Sequence, residues 1–258
     1  MMRALVVVAL LASTAHAEPW YRGKYGHNRV VNLSLTVGAG AIYALSEGPF
    51  KSSLAPSTCR WCSVDSLDAN IRNSIVWSDP HKAVTLSNLD GYVATPVFAL
   101  ALSAAGSLTS DDTSWARVID DGLPVLESVA LSQVPAQIVK FSVGRQRPYA
   151  HFNPTTPDLD DNVSFFSAHS ALVCALVTSS GSIAHRRGYW TEPYIWAGGG
   201  LLAASTMYFR MAGDKHYFTD ILTGASVGTA AGLLVPHLMD RGVTLAPARD
   251  GVAVVGTF

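Results

Sequence analysis

Four stretches of this 258-residue chain, 91–110, 163–184, 193–209 and 221–239, contain no Asp, Glu, Lys or Arg. Runs of that length exceed any ordinary strand, so they read as helices that must bury their apolar faces against one another or against lipid. A bilayer span needs about 20 mostly apolar residues. These stretches are long enough, but they are diluted by Gly, Ala, Ser and Thr. The reading favours an exported globular bundle and keeps attachment to a membrane open. The apolar share, 49%, and the low charged share, 14%, suit either setting.

Periodicity places helices over 33–45, 64–76, 91–108, 123–143, 167–184, 193–211 and 215–239, with Ser87 or Asp90 as cap for the third. The remainder of 18–90 is punctuated by Ser, Pro and Asp and reads as loop-rich. Residues 149–162 read as a loop, and 243–258 alternates like a short hairpin around Asp250-Gly251. The expected fold class is therefore all-α, a helical bundle over 91–240 with a tail over 241–258. Gly224, Gly228 and Gly232 stand four apart and would present a small-residue face to a neighbouring helix.

The start of the chain has a secretory pattern. Arg3 precedes an apolar run over 4–12, and Ala15-His16-Ala17 forms a small-x-small cleavage site. A signal peptide over 1–17 and a periplasmic mature protein are expected. In an oxidising compartment, Cys59-Arg60-Trp61-Cys62 reads as a small structural disulfide, because no second Cys or His pair stands at metal-ligand spacing. Cys174, in an apolar run, reads as an inert core thiol. With a net charge of -1 the chain lacks the basic surface that a nucleic-acid partner requires.

Polar chemistry is concentrated at helix ends. Lys140, Arg145 and Arg147-Pro148 close one helix; Ser167-Ala168-His169 opens the next; Arg210 ends a third; His216 and Asp220 open the last. In an up-down bundle, the end of one helix and the start of the next lie on the same side, so these clusters can share one site. Arginine and lysine hold phosphate oxygens, and a helix start capped by Ser167 offers free N–H groups to an anion. If the last helix begins near Lys215, His216 and Asp220 lie on one face at i and i+4. Asp220 could then fix the His216 tautomer by a direct hydrogen bond.

The combined pattern K-x6-R-P, S-x-H and R-x5-H-x3-D resembles the signature of the type 2 phosphatidic acid phosphatase superfamily, which includes lipid phosphatases, class A acid phosphatases and vanadium-dependent haloperoxidases. It covers roughly 90–240. Lys140-x6-Arg147-Pro148 matches in full. Phe166 and Ala168 replace the usual Pro and Gly of the middle motif, and Phe209 replaces the serine before Arg210. The resemblance implies that His216 attacks phosphorus, Asp220 orients it, and His169 protonates the leaving oxygen. It further implies that Lys140, Arg147, Ser167, Ala168 and Arg210 hold the phosphoryl group, with no metal and no cofactor. The expected partner is a phosphorylated lipid or small molecule. Two alternatives stand beside this phosphatase: a haloperoxidase carrying vanadate as prosthetic group, and a non-catalytic envelope bundle that retains the phosphate site.

Overall fold

The structure is a computed structural model that describes residues 23, 28–110, 115–154, 156–248 and 251–255, with the two terminal strands described as backbone only. The expected leader over 1–17, Asp111-Asp112 and Asp250 lie outside the described residues.

The first helix, α1 (Arg29–Glu47), is capped by Asn28, whose side chain accepts from the N–H groups of Val30 and Val31. A single turn, α2 (Lys51–Leu54), leads into the disulfide-closed loop, which joins Cys59 to Cys62. Asp65 then caps α3 (Ser66–Ile75). Pro80 at the first turn opens α4 (Pro80–Leu89), which passes through a π turn (Asp90–Ala94) into α5 (Thr95–Leu108). The long helix α6 (Trp115–Val143) and the short α7 (Pro148–Phe152) follow. Ser167 caps α8 (Ala168–Arg187), which ends at left-handed Gly188. Next come α9 (Glu192–Tyr194), a second π turn (Ile195–Gly199), α10 (Gly200–Ala212) and α11 (Phe218–Asp240). Strands β1 (Thr244–Ala248) and β2 (Gly251–Val255) form the expected antiparallel hairpin, with Ala246 opposite Ala253.

The all-helical bundle expected from periodicity is present. Its centre is α8, packed by α11, α6, α10 and α5, with α1 lying on α6. The glycine face is the closest part of this packing. A side chain at Gly224 would strike the carbonyl of Ser167, and one at Gly228 would overlap the carbonyl oxygen of Ala171. The seam thus brings the backbones of α8 and α11 together.

Several boundaries differ from expectation, and three of the differences share a reason. Acidic residues that read as loop punctuation are buried and bonded inside helices. Asp120 and Asp121, expected ahead of a helix start, lie within α6. Asp120 accepts from Arg29 Nε at 2.6 Å, and Asp121 accepts from Tyr189 Oη at 2.5 Å and Ser107 Oγ at 2.8 Å. Asp90, expected as a cap, lies in the π turn and accepts from Ser205 and Thr95. Ser87 likewise lies inside a helix, α4. The stretch 18–90, where helices were expected only over 33–45 and 64–76, contributes four helices, α1 to α4. Finally, α11 begins at Phe218, so His216 precedes it.

Among the described residues, three helical segments are long and apolar enough to cross a membrane: Arg29–Glu47, Pro80–Leu108 and Phe218–Asp240. Much of their apolar surface faces outward, including Leu33, Val37, Ile42, Val97, Leu222 and Leu234.

The seam makes a definite prediction. Gly228→Val would force α8 and α11 apart, an overpacking cost of about 1–3 kcal/mol. The thermal midpoint would fall by roughly 5 °C. A scanning-calorimetry midpoint unchanged by this substitution would contradict the close approach.

Candidate active site

The helix ends converge on a cavity of about 290 Å³. Five cationic residues, Lys51, Lys140, Arg147, Arg210 and Lys215, line it together with Glu47, Asp160, His169, His216 and Ala168 at the start of α8. Of the expected site residues, Lys140, Arg147, Ala168, His169, Arg210 and His216 meet here. Ser167 and Asp220 stand behind the cavity wall, and their contacts revise the roles expected of them.

His216 is buried between the end of α10 and the start of α11. Its Nδ1 lies 2.8 Å from the carbonyl oxygen of Ser164. A carbonyl only accepts, so Nδ1 carries the proton and Nε2 keeps its lone pair. Arg147 Nη1 stands 3.4 Å from that Nε2. Burial, and then the charges of Arg147, Arg210 and Lys140, push the imidazole well below its ordinary value and hold it neutral.

Asp220 was expected to bond His216 directly. It stands 3.6 Å from Nδ1, beyond hydrogen-bond distance. Its Oδ2 accepts from Ser164 Oγ at 2.6 Å and from the Tyr217 N–H at 3.0 Å, and its Oδ1 accepts from Arg145 Nη1 at 2.6 Å. The carboxylate therefore reaches the imidazole through Ser164, whose hydroxyl it holds and whose carbonyl orients the ring. The i, i+4 pairing on one helical face fails because His216 precedes the helix and Asp220 sits in its first turn, facing the Tyr217 N–H.

Ser167 is also reassigned. It is fully buried, and its Oγ accepts from the N–H of Ser170 at 3.3 Å. The same oxygen accepts from Ser170 Oγ at 3.0 Å, and Ala168 rather than Ser167 lines the cavity.

His169 lies in the first turn of α8, with the ring of Tyr92 against it at a centroid distance of 4.5 Å. Its Nε2 is 3.2 Å from Asn88 Oδ1. Arg210 Nη1 also points at that oxygen, at 3.5 Å. Because a guanidinium only donates, the Asn88 atom facing both is the amide oxygen, and His169 Nε2 carries a proton toward it.

The cations are held unequally. Lys140 Nζ lies 3.1 Å from Glu47 Oε1, and Lys51 Nζ bridges Glu47 Oε2 at 3.0 Å and Asp160 Oδ1 at 2.5 Å. Burial opposes ionisation of Asp160, but Arg147 and Lys51 prevail and keep its carboxyl below the usual range. Arg147 donates to two main-chain oxygens, that of Asp160 at 2.8 Å and that of Lys215 at 3.0 Å. Arg210 meets only neutral partners, Ser87 Oγ at 3.3 Å and Asn88. Among the described residues neither Arg147 nor Arg210 makes an ion pair. Buried cations without counter-charges are costly, so the cavity favours an anion.

Sequence reasoning missed Glu47, Asn88 and Asp160. Each reaches the site from a segment with no motif of its own. Only the buried cations, which demand acceptors, hinted that such partners exist.

Comparison with known proteins agrees with the motifs. Residues 121–243 match the model of the PAP2 superfamily, and the resemblance drawn from the three clusters holds there. No curated protein matches the chain in sequence. Among solved structures, the chain is similar to one titled as the crystal structure of the first transmembrane PAP2 type phosphatidylglycerolphosphate phosphatase from Bacillus subtilis. That similarity has a TM-score of 0.50 at 18% identity, over 81% of this chain and 96% of that one. At this identity the likeness is one of fold.

The neutral state of His216 can be measured. In a ¹⁵N-histidine NMR titration, its imidazole should remain the Nδ1–H tautomer at pH values well below 6.5, where a free histidine is cationic. The sign follows from the lowered folded value: protonation is disfavoured in the native state, so acid below 6.5 works against folding. A normal midpoint near 6.5 would contradict the buried, cation-surrounded ring.

Proposed function

We propose that this chain, with its PAP2-superfamily stretch over 121–243, is an exported, membrane-embedded phosphatase that hydrolyses lipid phosphate esters through a phosphohistidine. One observation carries the reading. A neutral histidine with an unprotonated Nε2, which faces Arg147 Nη1 at 3.4 Å, lines the same cavity as two buried arginines that make no salt bridge among the described residues, and a second histidine there carries a proton on Nε2.

The steps follow from these groups. Arg147, Arg210 and Lys140 receive the phosphoryl oxygens, aided by the first turn of α8 at Ala168. His216 Nε2 attacks phosphorus while the P–O bond to the alcohol breaks. His169, doubly protonated once the bound phosphate supplies its negative charge, gives its Nε2 proton to the departing oxygen and is left as the neutral Nδ1–H form. The same nitrogen, now a base, takes a proton from water as that water attacks phosphorus. The P–N bond breaks, phosphate leaves, and both histidines regain their starting states. Little covalent help is asked of the scaffold beyond the nucleophile, since phosphoryl transfer is governed mainly by positioning and charge stabilisation.

The lipid part of the proposal rests on the molecular surface. The outward apolar residues of α1, α5 and α11 form a surface of the kind that soluble monomers rarely expose. A bilayer around those flanks would leave the polar helix ends, and the site, at one interface. The likeness to a transmembrane phosphatase fold supports the same placement.

Two experiments test this. Phosphate release should be measured with chelator present on a panel of lipid and soluble esters. His216→Ala should abolish release with the fold intact, and Arg210→Ala should lower kcat by about 10²-fold, the scale for loss of one charge-stabilising donor. Full activity in His216→Ala would sink the mechanism. In fractionation, the protein should stay with membranes through a carbonate wash and be released by detergent. Release by carbonate alone would make it a soluble enzyme.

A further inference from the structure

The segment 59–72 lies outside the stretch matched to the superfamily, yet it holds two of the backbone segments that flank the site, 144–146 and 214–219. We infer that this disulfide-closed loop, together with Asp68 and Arg72 of α3, is a positioning clamp for the phosphoryl-transfer step. It would act on His216 through Arg145. The inference rests on the phosphatase reading above for its kinetic consequences.

The contacts form a chain from α3 to the nucleophile. Asp68 is the buried residue of α3. Its Oδ2 accepts from Arg145 Nη2 at 2.7 Å and from Thr219 Oγ1 at 2.6 Å, and its Oδ1 accepts from the Thr219 N–H at 3.0 Å. Arg145 is only 1% exposed. Its other terminal nitrogen, Nη1, donates to Asp220 at 2.6 Å and to Thr219 Oγ1 at 2.8 Å. The guanidinium lies between the rings of Trp61 and Tyr217, at 4.1 Å and 4.3 Å from their centroids. Asp220 in turn holds the Ser164 hydroxyl, and the Ser164 carbonyl holds His216 Nδ1. Asp68 therefore sets Arg145, Arg145 sets Asp220, and Asp220 sets the residue that orients the ring.

Two further contacts fasten the flanks. The Arg60 N–H donates to the Gly144 carbonyl at 2.9 Å, and the Gln146 N–H donates to the Trp61 carbonyl at 3.1 Å. These pin the turn between Lys140 and Arg147, where Gly144 takes a left-handed φ of +61°. Arg72 pairs with Asp214 through two bonds, Nε to Oδ1 at 2.7 Å and Nη2 to Oδ2 at 2.6 Å. Asp214 is itself left-handed, at φ +57°, two residues before His216. Neither Asp68 nor Arg145 lines the cavity, so they are positioning residues and make no contact with the phosphoryl group.

Asp68→Asn tests the clamp, since it keeps the side-chain size and removes the charge facing Arg145. The expected result is a ten- to hundredfold fall in kcat, with KM and the Kd of inorganic phosphate changed less than threefold and the thermal midpoint close to wild type. The NMR signal of the His216 Nδ1–H should broaden through exchange with water. A kcat within twofold of wild type would overturn the inference. So would a fall in kcat matched by an equal loss of phosphate binding, which would mark a collapsed site. If Asp68→Asn does not fold, Thr219→Val removes a bond to the same carboxylate and carries the same readouts. If the wild type releases phosphate from no ester while the His216 signal still broadens in the variant, the phosphatase reading fails and the clamp stands.

Discussion

Repulsion among the cations at one end of the bundle is the constraint on which the site depends. Two unit charges about 6 Å apart repel by roughly 3 kcal/mol at an effective dielectric near 20, and five such groups line one cavity. The scaffold offsets part of this repulsion. Glu47 stands between Lys140 and Lys51, Asp160 holds Lys51, and main-chain carbonyls receive Arg147. The offset stops short of Arg147 and Arg210, whose charges remain without carboxylate partners among the described residues. The phosphoryl group proposed as ligand would bring the missing negative charge, so the feature that strains the free protein would favour binding.

Elsewhere charge is handled by pairing. Arg29 meets Asp120 where α1 lies on α6, and Arg187 bridges Asp121 and Asp240 at the far end of α8. The bundle between these ends is held by close helix approach along the glycine face of α11 and by small apolar side chains around α8. An interior of that kind buries much backbone but leaves many large apolar residues outside. The same sequence economy that makes a tight centre therefore makes an apolar exterior, and it links the site's location at the helix ends to a membrane setting.

Long uncharged runs made the helices legible, and spacing within three clusters made Lys140, Arg147, His169, Arg210 and His216 legible as a site. Local signals failed where a polar residue had a distant partner. Asp90, Asp120 and Asp121 resemble loop punctuation until Ser205, Arg29 and Tyr189 are placed beside them. Glu47, Asn88 and Asp68 could not be read for the same reason, because each meets the motifs across a long sequence separation that leaves no period or spacing behind. Ser167 was legible as a cap, but its side chain is fully buried behind the cavity that it was expected to line.

The Asp220 contact shows why the distinction between a motif and its geometry matters chemically. A carboxylate bonded directly to Nδ1 would pull His216 toward its cationic form, which has no lone pair to offer phosphorus. The Ser164 carbonyl orients the same N–H with a dipole and leaves the ring neutral. Asp220 is drawn aside by Arg145, Ser164 Oγ and the Tyr217 N–H, yet at 3.6 Å it remains close enough to favour positive charge on the ring in the phosphohistidine proposed above. In the proposed mechanism Arg145 would act on the chemistry without entering the cavity: by competing for Asp220, it would separate orientation of the nucleophile from stabilisation of the charge that develops on it.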